Sequence, residues 1–160
     1  MNIVEWYNDK LFRQPKDLKT ALHDLQGQLR AFRDYHNNPR TNPGDDIVNA
    51  DQIIDSYFVP LPKGTILWHA TLTPADDWVY KRNTWLSTSF DKNKARDILD
   101  NSSNSRVYYI KICVDGYGVM GMPCKTDRLF DEDEILLSKN LDISIVNPPD
   151  TDCDRMYSCV

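Results

Sequence analysis

The sequence predicts an α+β fold, with helices in the first third of the chain and a mixed β-sheet in the remainder. Residues 15–60 carry apolar side chains at helical spacing. From Gly64 onward, short segments rich in β-branched and aromatic residues alternate with turn signals. A length of 160 residues suits one domain. We therefore expect a single domain over 1–160, with a helical part at 1–60, a strand-rich core at 61–146 and a tail at 147–160.

Two helices are predicted in the first third. The first begins near Pro15, a residue that the first helical turn tolerates. Its apolar positions are Leu18, Leu22, Leu25, Leu29 and Phe32. Residues 37–46 concentrate Asn, Pro and Gly, which is typical of an exposed loop. In the second helix the apolar positions are Ile47, Ala50, Ile53, Ile54 and Tyr57, and Asp45 or Asp46 is expected to cap its N-terminus.

Five strands and one further helix are predicted after Gly64. The strand segments are TILWHA at 65–70, WLSTS at 85–89, RVYYIKICV at 106–114, EILLS at 134–138 and LDISIV at 141–146. The helix covers 91–99, where Asp91 is placed to cap the backbone and Ala95 starts an apolar face.

Composition and charge exclude several classes of function. No apolar run approaches the ~20 residues that cross a membrane, and the N-terminus lacks the pattern of a secretory signal. A net charge of -5 gives no general attraction to nucleic acid. The four cysteines form no regular framework and are expected to be reduced thiols. Cys153 and Cys159 could meet as metal ligands or as a bridge, although two unrelated cysteines in a tail, and hence no metal, is the favoured interpretation.

Polar residues stand at the borders of three predicted strands. His69 follows the apolar ILW, Ser87, Thr88 and Ser89 follow WL, and Glu132 and Glu134 precede ILL. Each feature alone has an ordinary structural explanation: a satisfied histidine, a turn and a solvated acidic run. Strand ends can converge, however, and the three borders together predict one functional cleft.

In this order the set resembles the motifs of the mono-ADP-ribosyltransferase family. That family has Arg or His at the end of its first core strand, Ser-Thr-Ser on a second strand, and Glu-x-Glu or Gln-x-Glu leading into a later one. The corresponding segments here are LWHAT, WLSTSFDKNKA and FDEDEILL, and the resemblance covers roughly 61–146. It implies a mixed β-sheet core of two packed small sheets with N-terminal helices. His69 departs from the Ser-Thr-Ser branch, which usually has Arg there, and matches the diphtheria-toxin-like branch.

The resemblance also implies a reaction. NAD would be the co-substrate, and ADP-ribose would pass to a protein side chain with release of nicotinamide. Glu134 would stabilise the oxocarbenium-like transition state, Ser87 would hold Glu134, and Glu132 would bind and help deprotonate the acceptor. A Glu at position 132 is associated with arginine as the acceptor. In an extended segment, Glu132 and Glu134 would point to the same side, and Asp131 and Asp133 would be solvated and without a role.

The remaining implied roles concern binding. NAD would be bound by His69, Ala70, Thr88, Ser89 and Phe90, with His69 as a neutral donor to the ribose side. The pyrophosphate could be held by Lys92, Lys94 or Arg96. Residues 116–131 would form a mobile loop that recognises the target, with Phe130 near its end.

Three alternatives remain open on the sequence. The fold could be an NAD-binding or protein-binding module without transfer, an NAD glycohydrolase that uses water, or an interaction protein whose acidic run is accidental. For the transferase, we expect a toxin-like effector, such as a phage or viral protein, that acts in the cytoplasm of a host or target cell.

Overall fold

The computed structural model describes residues 1–18, 20–21, 45–72, 85–99, 106–124, 133–139 and 141–160. Its helices are α1 (Ile3–Phe12), α2 (Asp45–Asp55) and α3 (Lys92–Leu99). Its strands are β1 (Val59–Pro60), β2 (Ile66–Thr71), β3 (Leu86–Ser89), β4 (Tyr108–Val114), β5 (Met120–Cys124), β6 (Glu134–Leu137), β7 (Ile143–Ile145) and β8 (Arg155–Cys159). The fold is α+β, as predicted.

The strands form a mixed sheet in the order β1-β5-β6-β3-β2-β4-β8-β7. Strands β4 and β8 are parallel, and the other neighbours are antiparallel. Strands β2 and β3 share a single pair in the described chain, Trp68 with Ser89. This narrow join divides the sheet into a first half (β1, β5, β6, β3) and a second half (β2, β4, β8, β7).

The main hydrophobic core draws on both halves. Leu86, Ile135 and Leu137 come from the first half, and Leu67, Ile110, Ile112 and Tyr157 from the second. Helix α1 adds Trp6 and Tyr7. Because one core takes residues from both halves, the halves pack against each other, and the expected two small sheets are here two parts of one hydrogen-bonded sheet.

Helices α2 and α3 cover other surfaces of the sheet. Ala50 and Ile54 of α2 belong to a second buried cluster with Trp85, Met122 and Leu136. Ala95 of α3 packs with Trp68 and Ala70 of β2. Asp91 caps α3 as predicted, since its Oδ1 accepts the backbone N–H of Asn93 at 2.9 Å. Helix α3 is thereby fixed on β2, directly after β3.

The N-terminal segment contains a helix that the sequence analysis did not specify. Asn2 Oδ1 accepts the N–H of Glu5 at 2.9 Å and caps α1. Trp6 Nε1 donates to the carbonyl oxygen of Pro60 at 3.0 Å, which ties α1 to β1. Residues 16–18, 20 and 21 are also helical, at the start of the helix predicted after Pro15. The rest of that helix, and residues 37–44 of the predicted loop, lie outside the described residues.

Two segments differ from the expectations. The predicted mobile loop at 116–131 contains β5, which pairs with β1 and β6. Its Gly121 serves close packing, because a Cβ there would lie 2.9 Å from Leu61 Cδ1 and 3.2 Å from Ile135 Cγ2. The predicted tail contains β8, which pairs with β4 and buries Tyr157 and Cys159 completely.

All four cysteines are free thiols. Burial raises the pKa of Cys159 to about 12. Among the described residues, no helix is both long and apolar enough to cross a membrane.

Candidate active site

The pairing of β3 with β6 brings Ser87 and Glu134 together. Ser89 lies opposite Glu134, and Ser87 lies opposite Leu136. Since directly opposed residues and alternate residues share a face, Ser87, Ser89 and Glu134 point to the same side of the sheet. Ser87 Oγ donates a hydrogen bond to Glu134 Oε1 at 2.9 Å. Glu134 is only 8% exposed, so its carboxylate is oriented within a largely buried environment.

The other two hydroxyls of the Ser-Thr-Ser segment are fully buried. Thr88 Oγ1 donates to the carbonyl oxygen of Ile135 at 2.7 Å. Ser89 Oγ accepts the N–H of Asp91 at 3.1 Å, immediately before α3. Both hydroxyls therefore hold protein groups, Thr88 between β3 and β6 and Ser89 between β3 and α3. Their contact with NAD stays a prediction.

His69 of β2 reaches the same strand from the other half of the sheet. Its Nδ1 lies 2.6 Å from the carbonyl oxygen of Ser87. A carbonyl oxygen can only accept, so Nδ1 carries the hydrogen. The contact lies just beyond the single β2–β3 pair of Trp68 with Ser89. His69, Ser87 and Glu134 thus form one continuous set of contacts across the junction of the two halves.

This contact bears on the predicted role of His69. A neutral imidazole has one N–H donor, and here that donor is directed to Ser87. The second nitrogen, Nε2, is then an acceptor in the neutral ring and a donor only in the charged ring. With Nδ1–H directed to Ser87, the nitrogen that a neutral ring offers to a ligand is the acceptor Nε2, and the contact of His69 with NAD stays a prediction.

Ala70 and Phe90, both predicted to bind NAD, have different surroundings. Ala70 is buried, and its side chain packs with Trp68 and Ala95. Phe90 is half-buried, and its ring lies edge-on to Tyr7 of α1 with 5.2 Å between the ring centroids. Tyr7 thus lies against a predicted NAD ligand, a contact that no pattern in the N-terminal sequence indicates.

Asp133, expected to be solvated, is in an ion pair. Its Oδ2 lies 2.7 Å from Lys94 Nζ on α3, and its side chain is 15% exposed. Its φ of 44° is in the left-handed region, so the backbone is not extended at this residue. The extended backbone on which the predicted common orientation of Glu132 and Glu134 depended is therefore absent at Asp133. Glu132 and Phe130 lie outside the described residues.

The cations proposed for pyrophosphate binding differ in their partners. Lys94 is paired with Asp133, as above. Lys92 Nζ lies 5.1 Å from the centre of the Trp68 ring and 4.7 Å from that of Tyr109, and it donates to the carbonyl oxygen of Asp152. Arg96 is exposed, so of these three cations it is the one that faces solvent.

A second charged cluster lies beside Trp68, outside the predicted site. Lys111 Nζ is 2.8 Å from Asp150 Oδ2 and 3.2 Å from Asp152 Oδ2, and its side chain is 9% exposed. The hydrogen bond with Asp150 is the largest of the effects that raise the pKa of Lys111. The cluster ties the segment before β8 to β4.

Comparisons with known proteins gave matches among solved structures. Neither a family model nor a curated protein matches the chain. An ADP-ribosyltransferase from Clostridium botulinum is 16% identical, over 98% of this chain and 92% of that one, with a TM-score of 0.66. The ADP-ribosyltransferase Vis toxin from Vibrio splendidus is 14% identical, over 98% and 80%, with a TM-score of 0.54. A structure of Vis in complex with agmatine is 12% identical, over 98% and 81%, with a TM-score of 0.55.

Proposed function

We propose that this chain, which has the fold of the ADP-ribosyltransferases, transfers ADP-ribose from NAD to a protein side chain, with arginine as the acceptor. The observation that carries the proposal is the hydrogen bond of 2.9 Å from Ser87 Oγ to the buried carboxylate of Glu134. His69 contacts the same Ser87 from the opposite half of the sheet. The likeness to the solved structures, at low sequence identity, shows the fold alone, so the activity is argued from these side chains.

The proposed reaction needs a carboxylate of this kind. The bond between nicotinamide and ribose breaks, and its electron pair leaves with neutral nicotinamide. Positive charge develops on the anomeric carbon, as it does in glycosidases. A side-chain nitrogen of the acceptor then bonds to that carbon and loses a proton. A fixed negative charge near the carbon lowers the barrier, because it acts more strongly in the transition state than in the ground state.

Glu134 is assigned as the carboxylate that stabilises the positive charge on the anomeric carbon. Its carboxylate would accept a hydrogen bond from the ribose 2′-OH and lie beside the developing cation. Ser87 donates to Oε1 and so limits the rotation of the carboxylate. Because Glu134 is largely buried, its charge is screened less than that of a surface acid.

His69 is assigned to the NAD side through Nε2. With Nδ1–H directed to Ser87, the neutral ring would accept a hydrogen bond from a ribose hydroxyl. The same imidazole would also fix the Ser87 backbone, so His69 would affect both NAD binding and the aim of Glu134. Ala70, Thr88, Ser89 and Phe90 remain candidates for the rest of the NAD site.

The acceptor is assigned from the negative charge of Glu132. Glu132 would pair with a guanidinium group and help remove its proton. Vis, which shares the fold, has been solved with agmatine, a compound that carries a guanidinium group. This supports arginine as the acceptor. We place the reaction in the cytoplasm of a target cell, as expected for a toxin-like effector.

The experiment is incubation of the purified chain with NAD labelled in its adenosine part and a cell extract, followed by mass spectrometry. We expect ADP-ribose on arginine side chains, and none with Glu134→Gln. Release of nicotinamide without labelled protein would show a glycohydrolase. NAD binding without either product would show a binding module. Equal labelling by the parent chain and Glu134→Gln would overturn the proposal.

A further inference from the structure

Asp133, the residue immediately before Glu134, has a left-handed backbone conformation. Its φ is 44°, and β6 begins at the next residue. Residues other than glycine enter this region at a cost in free energy, and Asp is among the more tolerant residues. A residue of this conformation persists where neighbouring contacts hold it.

The contact that holds Asp133 comes from α3. Lys94 Nζ lies 2.7 Å from Asp133 Oδ2, and the two side chains are 32% and 15% exposed. Such partial burial shields the pair from solvent more than a surface ion pair, which contributes little. The pair joins two segments that are 39 residues apart in sequence.

Lys94 lies in the first turn of α3, which hydrogen bonds and packing hold against β2 and β3. Its backbone N–H lies 3.4 Å from the capping Oδ1 of Asp91, and Asp91 N–H donates to Ser89 Oγ. The next residue, Ala95, is 3% exposed and packs on β2. The same β3–α3 unit therefore carries Ser87, which holds the Glu134 carboxylate, and Lys94, which holds the residue before it.

We propose that Lys94 and Asp133 are positioning residues that hold the left-handed backbone at Asp133 and thereby aim the Glu134 carboxylate at the reacting carbon. This inference rests on the proposed transferase function. It gives Lys94 a role different from the pyrophosphate contact that the sequence suggested. It also gives a role to Asp133, to which the sequence analysis assigned none. Small displacements of a reacting group can cost two orders of magnitude in rate. Loosening the backbone at Asp133 would displace the Glu134 carboxylate and so lower turnover.

The test measures nicotinamide release. It uses variants that remove the ion pair and keep, at position 133, a residue that can adopt a positive φ. Lys94→Met removes the ion pair and keeps Asp133. Asp133→Gly removes the ion pair and keeps a residue that adopts positive φ readily. Each is expected to lower kcat about tenfold, with the KM for NAD changed by less than about twofold. Lys94→Arg retains the charge and is expected to restore most of kcat.

The double variant Lys94→Met/Asp133→Gly tests whether the two residues act as one unit. If they do, it loses no more than either single variant, because the same interaction is removed once. Independent losses that multiply would overturn the pairing. So would a Lys94→Met variant that keeps the parent kcat, or one that changes only the KM for NAD.

Lys139→Met is the matched control. Lys139 lies two residues after the other end of β6, and its Nζ is 3.2 Å from Asp51 Oδ1 of α2, in an ion pair of comparable burial. Its loss removes an ion pair without loosening the backbone at Asp133, and kcat is expected to stay near that of the parent. A loss equal to that of Lys94→Met would show a general effect of destabilisation and overturn the proposal.

A second readout needs no activity. Amide hydrogen exchange at Glu134 and Ile135 is expected to be faster in Lys94→Met and Asp133→Gly, and unchanged in Lys139→Met. Unchanged exchange in the first two variants would overturn the positioning role, whatever the turnover. If the parent chain releases no nicotinamide while exchange rises as expected, the proposed function fails and the role of the pair in holding the backbone at Asp133 stands.

Discussion

At the residue scale, the site depends on how three side chains share hydrogen bonds. Ser87 uses its hydroxyl on Glu134 and its carbonyl oxygen on His69. Ser87 therefore connects a candidate catalytic carboxylate with a candidate NAD ligand. A change in any one of the three residues is expected to affect the other two.

Replacements of His69 separate the two ring nitrogens. The side-chain amide of Asn can reproduce the Nδ1 donor, and that of Gln reaches about as far as Nε2. We expect His69→Asn to preserve the Ser87 contact and to weaken NAD binding by up to about tenfold, which corresponds to one hydrogen bond of about 0.5–1.5 kcal/mol. His69→Gln should retain more NAD binding and lose kcat. Calorimetric titration with NAD and turnover assays measure the two effects, and identical losses in both variants would refute separate roles.

His69→Arg tests the departure from the Ser-Thr-Ser branch. Arginine supplies donors and a permanent charge but no acceptor, so it does not reproduce Nε2; because the Ser-Thr-Ser branch usually has Arg at this position, we expect partial turnover. If His69→Ala binds and cleaves NAD as well as the parent does, His69 is a structural residue and its assignment to NAD is wrong.

Glu132 is expected to govern the acceptor and not NAD cleavage. Glu132→Gln removes the charge that would pair with a guanidinium, so transfer to arginine side chains should fall while more of the nicotinamide release remains. Paired assays of protein labelling and nicotinamide release check this division. Equal loss of both activities would show that the roles of Glu132 and Glu134 are wrongly assigned.

The sequence was a better guide to which side chains form the site than to the backbone conformation that positions them. The strand-border positions of His69, Ser87 and Glu134, taken together with the family resemblance, predicted that these side chains lie close together. The left-handed backbone at Asp133 was not predictable, because an acidic run before a strand does not show which residue takes a positive φ. The ion pair with Lys94 is likewise a long-range contact with no local signal.

At the element scale, the strands that the sequence missed are short or atypical. Strand β5 has the sequence MGMPC, and its Gly121 and Pro123 usually indicate a loop. Strand β8 lies in a polar terminus, yet its alternate residues Tyr157 and Cys159 face the core. Pairing with β4, which local patterns cannot show, makes β8 an interior strand.

Gly121→Val tests whether β5 is a packed strand. The new side chain would meet Leu61 and Ile135, and we expect a loss of about 1–3 kcal/mol in the free energy of unfolding, as for other overpacked sites. Gly118→Val is the control, since a Cβ there has its nearest contact at 3.8 Å. Denaturant titration measures both variants. If they are equally stable, β5 is not packed as described.

At the scale of the whole molecule, one core joins the two halves of the sheet, and the site lies at their junction. The family resemblance predicted two packed sheets, and the composition predicted a core of sufficient size. The single pair between β2 and β3 could not be predicted, because strand pairing depends on contacts between distant segments. The same junction brings His69 within reach of Ser87.

Buried thiols make the whole fold sensitive to alkaline pH. The pKa of Cys159 is raised from 9.0 to about 12, chiefly by burial, and those of Cys113 and Cys153 are also raised. Above pH 9 the unfolded chain loses thiol protons that the folded chain keeps, so the free energy of unfolding falls as pH rises from about 9 towards 12. Lys111, whose pKa is also raised, acts in the same direction above its ordinary value of 10.5.

Cys159→Val should reduce this pH dependence, because it removes one thiol from a fully buried position and keeps an apolar side chain there. Denaturant titrations at several pH values between about 8 and 10.5 would measure the slope. A slope identical to that of the parent would show that Cys159 ionises equally in both states.

The central claim is that the Glu134 carboxylate, held by Ser87, drives the cleavage of NAD. The most direct measurement is the rate of nicotinamide release by the parent chain and by Glu134→Gln, which keeps the size of the side chain and removes its charge. We predict a fall of about a hundredfold or more, as for other groups that stabilise transition-state charge, with the fold intact by circular dichroism. Rates that agree within about twofold would contradict the claim.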